Sequence, residues 1–164
     1  MESTLHPDPL MAAPPARRIE CVVIAFNSEG HVLMVDPEHQ EGLVLPGGAA
    51  GEDEAAHDAA ARHLLAQTTL VLDLWQLLAV DHLPAGEHPE GYNFVFNGGV
   101  LTAKQVERIN TDTPGTRLRG HRFVGTTELP DHVSPVGRRR IAAAWLTRRD
   151  GQGIPLLVRG FPVG

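Results

Sequence analysis

The chain has 164 residues, 42% of them hydrophobic, and a formal net charge of −6 at pH 7. That length suits one domain with a sizeable core, and the negative balance repels a long polyanion, which excludes a nucleic-acid polymer as the expected partner. The single cysteine, Cys21, rules out an intramolecular disulfide, and no apolar stretch has the length of a signal peptide or a bilayer span, so a cytoplasmic setting without membrane contact is expected.

Residues 1–18 carry Pro7, Pro9, Pro14 and Pro15, whose rings remove backbone donors and bias their neighbours away from helix; an extended N-terminal arm is predicted, with the domain proper over residues 19–164. An ordered arm of this kind needs a surface, either its own domain or a second copy, which puts a homodimer among the expected assemblies. Ile19 to Phe26 and His31 to Asp36 are apolar, β-branched runs around Asn27-Ser28-Glu29-Gly30, the pattern of a hairpin. A short strand over Leu43 to Leu45 then leads into Pro46-Gly47-Gly48, and the alanine-rich stretch from Glu52 to Gln67, with acids at its start, predicts a helix. Leu70 to Leu83, Tyr92 to Leu101 and Arg117 to Val124 read as strands. Ser134 to Arg149 predicts an amphipathic helix with Ile141, Trp145 and neighbouring alanines inward, and Pro155 to Arg159 a last short strand. Mixed strands with two main helices give an α/β class with a sheet sandwiched between helices. Trp75 and Trp145 are expected in the core or along a ligand wall.

The stretch from Leu45 is specific in its spacing. Leu45-Pro46-Gly47-Gly48 is followed after five intervening residues by Glu54, and seven further residues precede Arg62-His63-Leu64-Leu65-Ala66-Gln67-Thr68-Thr69-Leu70. This resembles the Nudix box, with Gly48, Glu54, Arg62, Leu64 and Leu70 retained; His63, Ala66 and Gln67 stand where the family has three carboxylates, and Thr69 where it has a glycine. The resemblance extends at lower specificity from about Ile19 to Gly160, through Phe94-Val95-Phe96, Gly98-Gly99 and His121-Arg122-Phe123-Val124. Many relatives carry a further glutamate just before the segment matching His121, where this chain has Arg117 and Arg119. The resemblance implies a Nudix-like α/β/α sandwich with a mixed sheet, and hydrolysis of a phosphate anhydride.

In the family the carboxylates hold Mg²⁺, which neutralises the phosphates and activates a water. On a helix, positions 63 and 67 face the same way with 66 beside them, so His, Ala and Gln there leave three fewer negative charges, and poor affinity for Mg²⁺ or another divalent cation is expected. Glu54, Asp58 and Arg62 fall at four-residue steps and are expected to form a charge ladder; in the family the first glutamate and the arginine brace the loop against the helix, while the bland reading is a surface salt-bridge ladder. Glu52, Asp53, His57, Asp58, His63, His82 and His121 are alternative material for a metal or acid/base site, with surface residues as the bland reading. The arginines at 138–140 and 148–149 could hold a small phosphate or simply form a solvated helix face.

Candidate catalytic residues are therefore Glu54, His63 and Gln67; candidate substrate-binding residues are Arg18, Gly47, Gly48, Arg62, His82 and Phe94; no residue is assigned to a metal. Three functions stay open: a hydrolase of a phosphate anhydride with a degenerate metal site, a non-catalytic module binding a phosphorylated or nucleotide-like small molecule, and a metal-independent enzyme using His63 as base.

Overall fold

The computed structural model describes residues 7–164. One mixed sheet runs through it in the order β6-β2-β1-β5-β4-β7-β8, with β3 paired to β1 off this path. The strands are β1 (Arg18–Phe26), β2 (Val32–Pro37), β3 (Gly47–Ala49), β4 (Leu77–Leu83), β5 (Gly91–Val100), β6 (Leu118–Val124), β7 (Leu156–Val158) and β8 (Phe161–Pro162). The helices are α1 (Pro9–Ala12), α2 (Ala56–Thr68), α3 (Ala103–Arg108), α4 (Leu129–His132) and α5 (Pro135–Asp150).

Strand β1 explains the layering. Side chains on a strand alternate faces: Val22, Ile24 and Phe26 pack with Ile141, Ala143 and Ala144 of α5, whereas Cys21, Val23 and Ala25 pack with Ala59, Ala60 and Leu64 of α2. A strand buried on both faces must read as a continuous apolar run, as this one does. Burial of Cys21 pushes its thiol up to about 11, so it serves as a small core residue.

Several sequence expectations need correction. The predicted extended arm is broken by α1, a single turn capped by Asp8, whose Oδ1 accepts from the Leu10 N–H at 2.9 Å and whose successor Pro9 has the backbone angle a helix start needs; residues 1–6 of that arm lie outside the described residues. Leu43 to Leu45 forms no strand, only a bridge from Val44 to Val35; the strand falls two residues later, where the glycines lie flat against β1 with Cys21 opposite Gly48 and Val22 opposite Gly47. The first long helix begins at Ala56, so Glu54 precedes it. Residues 70–76 are not part of a strand: Leu70 and Leu74 bury themselves in the α2-side core while the backbone between them stays outside the ladder. Trp75, expected in the core or along a ligand wall, is 86% exposed and lines neither the core nor the cleft between the sheet and α5. Trp145 does pack against the α5-side core. Helix α3 was not anticipated, although Thr102 and Gln105 form a reciprocal capping box at its start.

Candidate functional site

The box residues meet on the α2 side of β3. Gln67 grips Gly47 by both amide atoms: the Gly47 N–H donates to Oε1 at 2.9 Å and Nε2 donates to the Gly47 carbonyl at 2.9 Å. One turn earlier, His63 Nε2 lies 2.8 Å from the Ala49 carbonyl, an atom that can only accept, so Nε2 carries the proton. The two side chains supply β3 with the hydrogen bonds a neighbouring strand would otherwise provide. Ala66 offers no side-chain donor atom.

Glu54 and Arg62 form a two-pronged pair, Nε to Oε2 and Nη2 to Oε1, both 2.8 Å, and Glu54 Oε1 also accepts from the Gly51 N–H at 2.9 Å. Asp58 stands apart, 3.4 Å from His57, so the expected three-residue ladder reduces to one direct bridge across the turn. The Arg62 hydrogen bonds, with help from Gly51, hold the Glu54 carboxyl down at about 2 from an ordinary 4.5. A carboxyl depressed by folding contributes stability that is present above its unfolded value and lost as the pH falls through its folded value. Glu54→Gln is therefore expected to flatten the loss of stability between pH 4.5 and about 2, measured as urea midpoints across that range; a variant as acid-sensitive as the parent would dismiss the bridge.

These donors do not fit a magnesium ion. Magnesium takes hard, mostly anionic oxygens in octahedral geometry, whereas the side chains at 63 and 67 are a histidine and a neutral amide already spent on backbone groups, and the glutamate the box retains, Glu54, is paired with Arg62. Among the described residues no three His, Cys, Asp or Glu side chains come together as a metal-holding group. Arg119, near the position of the relatives' further glutamate, pairs with Asp36 at 3.1 Å.

The opposite face of β3 borders a second arrangement, absent from the sequence reading. Glu20 on β1, Asn93 on β5 and Asp81 on β4 stand in register across three adjacent strands. Asn93 Nδ2 donates to Glu20 Oε2 at 3.1 Å, and Glu20 also pairs with Arg18. Asp81 is fully buried; its Oδ2 accepts from Arg140 Nε of α5 at 2.8 Å and its Oδ1 from the Gly160 N–H at 2.9 Å. Glu20, Asn93 and the Arg140 side chain that Asp81 holds line a cleft of about 320 Å³ with apolar walls that include Val22, Met34, Leu45 and Ile141. Glu20, His39, Gln40, Ser134, Gly137 and Arg140 continue from it into an outer depression bordered by Arg18 and His88. The first turn of α5 stands over the junction, with Ser134 as its cap.

The sequence-derived substrate residues divide between the two faces. Gly47 and Gly48 line the cleft and Arg18 its outer part. Arg62 is on the α2 side with Glu54, Phe94 packs into the α2-side core, and His82 stacks on Tyr92 and bonds Glu90 at 2.8 Å, outside the cleft. The one available signal for the missed row was a polar residue interrupting each of three apolar strands at a core-facing position, since such residues are buried only for a reason.

The model of the NUDIX domain matches residues 16–150. The chain belongs to the NUDIX family. No curated protein matches it in sequence. Solved NUDIX structures do resemble it: the MutT protein of Methanosarcina mazei Go1 at 16% identity and a TM-score of 0.66, over 85% of this chain and 99% of that one; a NUDIX hydrolase of Nitrosomonas europaea at 22% and 0.65, over 88% and 79%; and the NUDIX domain of Shewanella oneidensis NrtR complexed with ADP ribose at 14% and 0.65, over 88% and 94%. At these identities the likeness is one of fold, and that fold is the α/β arrangement the sequence implied.

Proposed function

We propose that this NUDIX chain is a binding module for a phosphorylated, nucleotide-like small molecule, held in the cleft between the sheet and α5, and that its α2 face has passed from ion binding to structural support. The observation that carries this reading is the set of polar side chains Glu20, Asn93 and Arg140 lining an otherwise apolar cleft, because a few placed polar groups within apolar walls are the usual composition of a small-molecule site. Arg140 spends its Nε on Asp81, which leaves its Nη amines to meet an anion beside the positive end of α5. The α2 face supports the non-catalytic half of the proposal: the side chains at 63 and 67 hold the backbone of β3, and the Glu54 carboxylate is paired with Arg62.

ADP-ribose, the ligand in the Shewanella NrtR structure, is the first compound to try, with nucleoside mono- and diphosphates beside it. The expected result is a raised melting temperature without hydrolysis of the compound, and no change in either on adding Mg²⁺ or EDTA, since a ligand that binds only the folded state stabilises it by mass action. Family membership favours a second reading, hydrolysis of a phosphate anhydride. Cleavage of ADP-ribose to AMP and ribose 5-phosphate, or of a nucleoside diphosphate to its monophosphate and phosphate, that EDTA abolishes would establish that reading and end the first.

A further inference from the structure

We infer that Asn93 selects the ligand, holding a carbonyl acceptor in reserve for a buried N–H or O–H donor, so that the ligand inserts a flat heterocycle into the cleft and leaves its anionic part at the mouth. This rests on the cleft being the binding site. Asn93 is 1% exposed and lines the cleft, yet its Oδ1 has no hydrogen-bond partner among the described residues. The orientation of its amide is fixed by chemistry: Nδ2 faces Glu20 Oε2 at 3.1 Å, and turning the amide over would set oxygen against oxygen. The orphan is thus the acceptor.

No structural duty accounts for it. Glu20 is paired with Arg18 and its side chain is 35% exposed, so water can serve its second oxygen without help from Asn93. Asp81, on the other side, is engaged on both oxygens by Arg140 and Gly160 and makes no bond to Asn93. An amide whose acceptor is buried and unused weakens the ligand-free fold, and such a group is explained when a ligand completes it. The walls define the rest of the partner. Val22, Met34, Leu45 and Ile141 accept apolar faces, and a single acceptor at the floor asks for one donor on the edge; a nucleobase or a heterocycle like it has both properties. Discrimination by such a site is steep, because a ligand without the donor leaves the acceptor unpaired.

The test compares AMP, GMP, CMP and UMP with ribose 5-phosphate, which keeps the anion and lacks the base, by calorimetry on the full chain and on Asn93→Leu. In the parent at least one nucleotide is expected to bind about tenfold or more tighter than ribose 5-phosphate. Asn93→Leu should erase that preference, leave ribose 5-phosphate binding unchanged, and melt no lower than the parent without ligand; a purely structural asparagine would instead lower the melting temperature and keep the preference. Asn93→Ala, which also removes the acceptor without added bulk, makes the same comparison if the leucine variant does not fold. A preference retained in the folded variant, or no preference in a parent that binds ribose 5-phosphate, overturns the role of Asn93 and leaves the cleft standing. Failure of the parent to bind any of the five compounds overturns both.

Discussion

Asp81→Ala is expected to lower the melting temperature by roughly 6–20 °C. Removing one partner of a buried ion pair leaves the other charge stranded, which costs about 3–5 kcal/mol, and each kcal/mol shifts a domain of this size by roughly 2–4 °C. Asp81 is fully buried and the Arg140 side chain only 14% exposed, so solvent can do little for the guanidinium once the carboxylate is gone. The aspartate also joins three parts of the fold: β4, which carries it, α5 through Arg140, and the turn between β7 and β8 through the Gly160 N–H. Its loss should therefore loosen the α5 edge of the cleft, and ligand binding should weaken together with stability. Pairing the substitution with Arg140→Met removes the stranded charge and is expected to recover part of the loss. Differential scanning calorimetry on the two variants decides the matter, and an unchanged melting temperature in Asp81→Ala would mean the pair is not buried as described.

That pair also marks where reading the sequence stops. The box was legible because its parts are close along the chain: Gly48, Glu54, Arg62 and their spacing survive, and the helix that carries Arg62 follows from local composition. The cleft was not legible. Asn93 bonds a residue 73 positions away and Arg140 one 59 positions away, and only the parallel pairing of β1 with β5 and the antiparallel pairing of β5 with β4 bring the row together. Residues 70–76 failed for a different reason. Leu70 and Leu74 are apolar enough for a strand, yet they cap the α2-side core without joining the ladder, a tertiary demand that outweighs β-propensity. Helix α3 was within reach, since Thr102 and Gln105 spell a capping box in the sequence, but with no buried residue of its own the helix lacks the apolar periodicity that draws attention to longer ones.

The two glycines of β3 are expected to fail for separable reasons, and the difference tests whether the box helix now serves as a clamp. At Gly47 the backbone has φ +149°, and an added Cβ would lie 2.2 Å from the Cys21 carbonyl oxygen and 2.6 Å from the Val22 Cα. Both are backbone atoms of a strand buried on both faces, so nothing can step aside; Gly47→Ala combines backbone strain with overpacking and is expected to cost about 2–6 kcal/mol. No single second substitution should restore it. At Gly48 the added Cβ would meet the His63 ring, 2.5 Å from Cε1 and 2.7 Å from Nε2. Here the obstacle is a side chain. Gly48→Ala should displace the ring and break its bond to the Ala49 carbonyl, at about 1–3 kcal/mol, whereas Gly48→Ala combined with His63→Ala should cost less than the sum of the two by at least about 0.5 kcal/mol, the mark of residues in contact. Denaturant melts on the single and double variants give the coupling directly. Additive losses would mean that the ring does not pack on the glycine strand, and the account of His63 as a structural support of β3 would fail, leaving Gln67 and Arg62 to hold α2 to that strand.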